Sequence, residues 1–270
     1  MKILKLSEFD QRLGFMMAAY GKPSTGKTTF AGTWPKRTLF IHTGELGLGV
    51  IKGIEDIDVV DCPNVTTAQT VFAEVGQSQI IRNQYKSVVV DSLHCLRDVK
   101  IREYVGEVDW AKVTQFVLAQ VNQLIPLMSH GIDILLISHE SLVKVEGMKK
   151  KFLSIPSMGE RTSQAIIGKC DVVGYLAIEE TRTFNMADNT TTSENDFVCY
   201  LRPHPEYYTR VRKRESADVP EKISNPTYEK IRDIFRPTTA AKPQPAPKVA
   251  MPPKAKPPKR KPKGAKHATV

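Results

Sequence analysis

The most constraining feature of the chain is an apolar segment, residues 15–20, that runs directly into the pattern Gly-x-x-x-x-Gly-Lys-Thr at residues 21–28. This is the spacing of a phosphate-binding loop. Glycines at both ends let the backbone adopt positive φ angles and approach an anion, so that successive N–H groups converge on phosphate oxygens. A short helix over residues 27–34, ended by Pro35, adds the positive end of its dipole.

The motif predicts a site for ATP and Mg²⁺. Lys27 would contact the β- and γ-phosphate oxygens, and the Thr28 hydroxyl would ligate the metal. The residues predicted to bind the nucleotide are Gly21, Lys22, Pro23, Ser24, Thr25, Gly26, Lys27, Thr28 and Thr29. The alternative is a glycine-rich turn between a strand and a helix.

The charge of the chain is concentrated at one end. The 270 residues carry a net charge of +10, and residues 237–270 hold nine basic residues, no acidic residue and nine of the 18 prolines. The preceding residues are close to neutral, with 30 basic and 29 acidic side chains. We therefore predict one α/β domain over residues 1–236 and a disordered basic tail over 237–270. The tail would be a nucleic-acid-binding arm or a solubilising extension.

Cysteine usage and hydropathy favour a cytoplasmic protein. The four cysteines are widely spaced and form no Cys-x-x-Cys pair, which fits neither a zinc site nor a disulfide framework. The N-terminal segment lacks the pattern of a signal peptide, and no apolar run approaches 18 residues, so we expect no membrane contact.

The first half of the chain alternates apolar strands with helices. Near-continuous apolar strands separated by helices predict a mainly parallel sheet covered on both faces. We expect strands at residues 15–20, 38–42, 57–61, 86–91 and 132–138, and helices at 66–82, 93–106 and 109–130, the last kinked at Pro126.

The pattern changes after residue 140, where shorter segments predict hairpins at the edge of the sheet. We expect a hairpin over residues 141–155, a helix over 163–169 and strands at 171–178, 182–186, 197–202 and 208–212. A polar tip would span residues 187–196, and a helix over 227–235 would close the domain.

Asp91 ends an apolar, β-branched strand some sixty residues after the phosphate loop. A carboxylate at the carboxyl end of a buried strand suits the acid that organises Mg²⁺, so Thr28 and Asp91 form the predicted metal site. The alternative role for Asp91 is to cap the following helix, which Ser92 could do equally well.

In their order along the chain, these elements resemble the RecA-like P-loop ATPases. The resemblance rests on the loop at 21–28, Asp91 and the strand ending Ser138-His139-Glu140. With Asp109-Trp110, residues 171–175 and the run 208–214, the chain more closely resembles the short phage-encoded recombination ATPases that accompany single-strand annealing proteins. The resemblance implies ATP hydrolysis coupled to single-stranded DNA in a homo-oligomeric ring or filament. It also implies a single-strand binding or annealing protein as a partner.

The resemblance also implies catalytic roles for Glu45 and His139. The water-activating glutamate of such ATPases follows the second strand, where the family more often has Asp-Thr-Glu at positions 42–44. This chain has His42-Thr43-Gly44-Glu45, so Glu45 is the candidate general base, displaced by one residue. His139 matches the polar residue that senses the γ-phosphate. The alternatives are a solvated turn carboxylate and a hydrogen-bonded strand-end histidine.

Two basic segments are candidates for contacts outside the nucleotide. The segment after His139 matches a DNA-binding loop of the recombinases, and cations interleaved with an aromatic ring suit single strands. Its predicted DNA-binding residues are Lys144, Lys149, Lys150, Lys151, Phe152 and Arg161. The resemblance also implies that the run 210–214 is a basic finger, whose Arg212 and Arg214 would reach the γ-phosphate of a neighbouring subunit. The alternatives are a solvated hairpin tip and a charge-protected edge strand.

Two other functions remain open from the sequence. One is a nucleotide-gated helicase loader or DNA-binding adaptor with little hydrolysis, which the irregular turn at 42–45 would suit. The other is a P-loop small-molecule kinase, which the absence of an obvious arginine-rich lid disfavours.

Overall fold

A computed structural model describes residues 14–235, apart from residue 46 and the segments 145–150, 155–159, 186–189 and 213–218. Its strands are β1 Met16–Gly21, β2 Thr38–His42, β3 Ile57–Asp61, β4 Ser87–Asp91, β5 Asp133–His139, β6 Ser141–Lys144, β7 Lys151–Ser154, β8 Val172–Asn185, β9 Thr190–Tyr200, β10 Arg210–Val211 and β11 Lys222–Ser224. Its helices are α1 Lys27–Ala31, α2 Val65–Gln77, α3 Gln79–Gln84, α4 Leu93–Ile101, α5 Trp110–Leu124, α6 Glu160–Lys169 and α7 Tyr228–Phe235.

Nine of the described strands form one central sheet in the order β11-β9-β8-β1-β5-β4-β2-β3, with β10 paired to β8, and β6 and β7 form a separate two-stranded sheet. The pairs from β8 to β3 are parallel, whereas β9, β11 and β10 add antiparallel strands at the β8 end. The predicted fold class is confirmed: a mainly parallel sheet with helices on both faces and antiparallel strands near the C-terminus. Because the carboxyl ends of β1, β2, β4 and β5 lie at one edge, loops that are distant in sequence meet there.

Residues 88–90 of β4 illustrate how the sheet is buried. All three valines are inaccessible to solvent, since alternate side chains point to opposite faces and helices cover each face. One face packs against a cluster that includes Phe72 of α2 and Val117 of α5. The other packs against Phe30 of α1 and Ile231 of α7. Fully burying such a side chain contributes about 1.5–3 kcal/mol.

Several predicted helix bounds are wrong. The helix predicted over residues 66–82 is two helices, α2 and α3, because Ser78 has extended backbone angles and its hydroxyl accepts a hydrogen bond from Ile81 N. Asn64, rather than Thr66, caps α2. The helix predicted over 93–106 ends at Ile101, and α5 passes into a 3₁₀ segment over Ile125–His130, which contains Pro126 in its first turn.

The antiparallel part also differs in extent from the prediction. The strands predicted at 171–178 and 182–186 are one strand, β8, and β9 begins at Thr190, within the predicted polar tip. Residues 186–189 of that tip lie outside the described residues. The hairpin predicted over 141–155 is confirmed as β6 and β7, paired with Lys144 opposite Lys151. The strand β11 was not predicted.

No helix in the described part of the chain combines the length and the apolarity needed to cross a membrane. All four cysteines are free thiols.

Candidate nucleotide-binding site

The predicted phosphate loop connects β1 to α1 and has the backbone that its glycines imply. Gly26, directly before α1, has φ of 77°, in the left-handed region that favours glycine. A Cβ on Gly21 would lie 2.1 Å from the carbonyl oxygen of Leu176 on β8, so the adjacent strand excludes any side chain there. Inside the loop, the Thr25 hydroxyl donates to Lys22 O over 2.9 Å. The loop is thus held in a turn that opens at the carboxyl edge of the sheet.

Lys27 is buried at the mouth of this loop, with 7% of its surface exposed. Its ammonium donates to Gly21 O at 3.2 Å and to Lys22 O at 2.5 Å. Burial lowers the pKa of Lys27, and the negative charges of Glu45 and Asp91 oppose that shift. Because its hydrogen bonds to the described residues are to carbonyl oxygens, this desolvated cation is well prepared to take up a stronger anionic partner.

Thr28 and Asp91 meet as the metal prediction requires. Thr28 Oγ1 donates to Asp91 Oδ2 over 3.0 Å, while the buried Oδ1 atom has no hydrogen-bond partner among the described residues. Burial raises the pKa of Asp91 to about 6, the hydrogen bond from Thr28 lowers it, and the charge of Glu45 raises it. An orphaned carboxylate oxygen beside a hydroxyl fits Mg²⁺, which is usually bound by one or two protein oxygens together with phosphates and water. The residues present therefore fit the implied metal.

Glu45 lies at the same site despite its displacement in sequence. Its Oε2 accepts from Ser92 Oγ at 2.9 Å and from Cys95 Sγ at 3.3 Å, and its Oε1 lies 3.1 Å from His139 Nε2. Burial alone would raise the pKa of Glu45, but these hydrogen bonds and the charges of His139 and Lys27 lower it overall. Glu45 is therefore an ionised carboxylate with a fixed orientation.

The turn that carries Glu45 is fastened on both sides. Thr43 Oγ1 donates to Ser92 O over 2.8 Å and accepts from Ser92 N over 2.9 Å, which joins the turn to the end of β4. His42 contacts Glu45 O at 2.8 Å and Asp61 Oδ1 at 2.9 Å. Burial lowers the pKa of His42, yet these hydrogen bonds raise it overall. His42, in place of the family's acid, positions the backbone of Glu45.

These side chains line a cavity of about 370 Å³. Lys27, Thr28, Glu45, Asp91 and His139 all border it, together with Val50 and Phe197. His139 ends β5 directly opposite Gly21 in the parallel register, and the ring of His94 stacks on it with centroids 5.1 Å apart.

The model of one protein family, described as the AAA domain, matches residues 13–213, well over half of the chain. The chain belongs to the AAA domain family. Members of this family generally hydrolyse ATP, which supports nucleotide-dependent ATPase activity and the use of a nucleotide, typically with Mg²⁺. No curated protein matches the chain.

The predicted basic finger of this AAA domain lies away from its own phosphate loop. Arg212 N donates to Asp171 O over 2.7 Å, its guanidinium donates to Gly168 O, and Asp171 Oδ1 lies 3.9 Å from that guanidinium. Because β10 pairs with the amino-terminal end of β8, Arg212 lies towards the edge of the sheet opposite the phosphate loop. Arg214 lies outside the described residues.

The predicted DNA-binding segment follows the nucleotide site along the chain. Lys144 and Lys151 are paired positions of β6 and β7, and Phe152 pairs with Val143. Arg161 is in α6. The side chains of Lys144, Lys151, Phe152 and Arg161 are not among the described side chains, and Lys149 and Lys150 lie outside the described residues.

Five side chains of this site were not predicted as site residues: Val50, Ser92, His94, Cys95 and Phe197. Ser92 was considered only as a helix cap, a role it fills by accepting from Cys95 N, but it also donates to Glu45. Cys95 and His94 lie one helical turn or less beyond Asp91, so a search of the residues following the strand would have found them. Phe197 has no comparable signal, because its position depends on the pairing of β9 with β8.

Proposed function

We propose that this AAA domain is a Mg²⁺- and ATP-dependent ATPase that acts on single-stranded DNA in recombination, annealing or repair. The observation that carries the proposal is the 3.0 Å hydrogen bond between Thr28 Oγ1 and Asp91 Oδ2, beside the buried ammonium of Lys27. A hydroxyl, a carboxylate and a cation at the mouth of a phosphate loop are the parts that phosphoryl transfer from ATP requires. The resemblance to short phage-encoded recombination ATPases supports the DNA part of the proposal.

In this mechanism Lys27 exchanges the carbonyl oxygens of Gly21 and Lys22 for oxygens of the β- and γ-phosphates. Thr28 and Asp91 would hold Mg²⁺. Bound Mg²⁺ supplies charge that stabilises the phosphoryl oxygens. The chain contributes preorganised charges that need little rearrangement during the reaction.

Glu45 is the proposed general base, accepting a proton from the water that attacks the γ-phosphate. His139 and Ser92 hold its two oxygens, so the carboxylate is oriented before the nucleotide arrives. General bases work best when their pKa lies near the working pH, and the pKa of Glu45 is lowered. We therefore expect slow turnover in the absence of DNA.

The path from the nucleotide to DNA is short in the chain. His139 ends β5, Glu140 follows, and β6 begins at Ser141. Glu140 N donates to Gly21 O over 3.1 Å, and its carboxylate accepts from Tyr175 OH over 2.9 Å. A strand of DNA on the β6–β7 hairpin would thus act on a segment that contacts both the phosphate loop and His139. This connection supports coupling between DNA binding and hydrolysis.

A ring or filament would give the basic finger a role. Since Arg212 lies towards the edge opposite its own loop, we propose that it serves the nucleotide of a neighbouring copy, and we propose the same role for Arg214 from the resemblance alone. Such an arginine stabilises charge that develops on the transferred phosphoryl group. A single-strand binding or annealing protein is the proposed partner of the assembly.

A specific observation favours a second function, a nucleotide-gated adaptor or helicase loader with little hydrolysis. Both oxygens of Glu45 are already engaged by His139, Ser92 and Cys95. If these contacts persist with DNA bound, the carboxylate has less capacity to activate water. DNA or partner affinity would then respond to ATP while turnover stayed near background.

Steady-state ATP hydrolysis with and without single-stranded DNA separates the two functions. For the ATPase we expect DNA to stimulate turnover, Lys27→Ala to abolish it, and Glu45→Gln to reduce it by about 10²- to 10⁴-fold. Retained ATP binding by Glu45→Gln, measured by calorimetry, shows that the base rather than the site was lost. Undiminished turnover in Lys27→Ala would reject the ATPase, and ATP-dependent DNA binding without turnover would favour the adaptor.

A further inference from the structure

The nucleotide cavity contains an aromatic ring to which the phosphate chemistry gives no role. Phe197 belongs to β9, and its ring packs directly on the α-carbon of Gly26. A Cβ built on Gly26 would lie 2.8 Å from Phe197 Cδ1 and 3.1 Å from Cε1. Packing on Gly26 leaves 39% of Phe197 exposed, and the residue borders the same cavity as Lys27 and Asp91.

A second apolar side chain borders this cavity from a different element. Val50, in the 3₁₀ turn after Glu45, is 62% exposed. The remaining lining residues belong to the phosphate loop and its helix, or are Glu45, Gly47, Asp91 and His139. The cavity therefore combines a polar part that suits phosphates with two exposed apolar side chains that suit a flat, apolar group.

We propose that Phe197 stacks on the base of the nucleotide and forms, with Val50, the base-binding part of the site. This inference rests on the proposed function, because it assumes that the cavity holds a nucleoside triphosphate. The ring lies against Gly26 and borders the same cavity as the phosphate loop, so a base attached to phosphates in that loop could reach it. Aromatic rings are effective base platforms because every base has a π-face.

The backbone of Phe197 is anchored, so the ring does not depend on a mobile loop. Phe197 pairs with Ile178 in the β8–β9 register, and its carbonyl accepts from Asn225 N over 2.6 Å. Ile178 occupies the opposite position on β8 and is 43% exposed, yet it does not line the cavity. It is therefore a matched control for loss of an exposed apolar side chain from the same strand pair.

The test compares two ligands that share phosphates and differ in the base. Mg²⁺-ATP and Mg²⁺-tripolyphosphate are titrated calorimetrically into the full chain and into Phe197→Ala, Phe197→Trp, Ile178→Ala and Lys27→Ala. We expect Phe197→Ala to weaken ATP by about 5- to 100-fold and to leave tripolyphosphate within about twofold. Phe197→Trp should bind ATP at least as well as the wild type, and Ile178→Ala should match it for both ligands.

The outcomes separate this inference from the function on which it rests. Equal weakening of both ligands in Phe197→Ala would mean that the ring only shapes the loop, and unchanged or tighter ATP binding would mean that it does not stack. Either result overturns the inference while leaving the ATPase intact. If the wild type binds neither ligand, or Lys27→Ala binds both normally, the nucleotide site itself is refuted.

Discussion

The ionised carboxylate of Asp91 should destabilise the folded protein, although it belongs to the predicted metal site. The side chain is 1% exposed, and burial raises its pKa from 3.8 to about 6. Because a pKa difference of one corresponds to about 1.4 kcal/mol, the ionised carboxylate costs the folded state on the order of 3 kcal/mol at neutral pH. Asp91→Asn removes this charge and keeps an oxygen that can accept the hydrogen bond from Thr28.

We expect Asp91→Asn to raise the free energy of unfolding of the ligand-free protein by about 1–2 kcal/mol at pH 7.5. The gain is smaller than the full cost because Asp91 also helps to stabilise the buried charge of Lys27. The same variant should lose the stabilisation that Mg²⁺-ATP gives to the wild type, since the metal site depends on the carboxylate. We therefore expect Asp91→Asn to be more stable than the wild type without ligand and to be stabilised less than the wild type by Mg²⁺-ATP.

The pH dependence gives a sharper test. Between pH 3.8 and about 6 the folded state binds more protons at Asp91 than the unfolded state, so the wild type loses stability as the pH rises through this window. Asparagine does not titrate. The gain in the free energy of unfolding from Asp91→Asn should therefore reach its full size above about pH 7 and be about 1 kcal/mol smaller at pH 5.

Urea unfolding of the ligand-free protein at pH 7.5 and pH 5, followed by fluorescence of the buried Trp34, measures both effects. Asp133→Asn is the matched control. Asp133 is another buried carboxylate, but it accepts hydrogen bonds from Phe15 N at 2.8 Å and from Tyr228 OH at 2.5 Å. Asp133→Asn should therefore lower the free energy of unfolding by about 1–3 kcal/mol. The reasoning fails if Asp91→Asn is less stable than the wild type at pH 7.5, or if its advantage does not shrink at pH 5.

Three further perturbations test other parts of the chain. Thr28→Val removes the hydroxyl that donates to Asp91. The increase in ATP affinity that Mg²⁺ causes should be smaller in this variant by about tenfold or more. An unchanged increase would contradict the predicted metal site. Gly26→Ala forces a side chain onto a residue with φ of 77° and against Phe197, and should lower the free energy of unfolding by at least about 1–2 kcal/mol, whereas no loss would contradict the left-handed conformation. Truncation after Arg236 removes nine cations, and the slope of log K against log salt for single-stranded DNA should flatten by up to about 6, while an unchanged slope would reject the arm.

The parallel part of the fold could be predicted because its determinants are local. Strands such as residues 88–90 are apolar on both sides, a pattern typical of a doubly covered sheet. The helix bounds at residues 78 and 101 could not be predicted, since neither break contains glycine or proline. The continuity of β8 was missed because its pairing with β9 extends through residues 179–181, whose polar sequence is typical of a turn.

The residues of the site likewise include some whose roles the sequence predicts and others whose roles it does not. Lys27, Thr28 and Asp91 lie at or just beyond strand ends, where the sheet topology brings side chains to one edge, so sequence spacing predicts their meeting. The role of Glu45 is harder to predict from the sequence, because its turn is one residue longer than expected. Its contacts with Ser92 and His139 show that the side chain reaches the site. Phe197 depends on a strand pair formed far along the chain, which no spacing rule anticipates.

The electrostatics of the site explain why its charges persist in the folded protein without a nucleotide. Lys27, Glu45 and Asp91 are each desolvated, and each charge is partly compensated by another of the three or by a fixed hydrogen bond. Binding that occurs only in the folded state at a hundred times its dissociation constant stabilises a protein by about 2.7 kcal/mol, similar in size to the cost calculated for Asp91. Stabilisation by the nucleotide and metal would thus be about equal to the destabilisation by the buried carboxylate, so the ligand-free domain should be the less stable form.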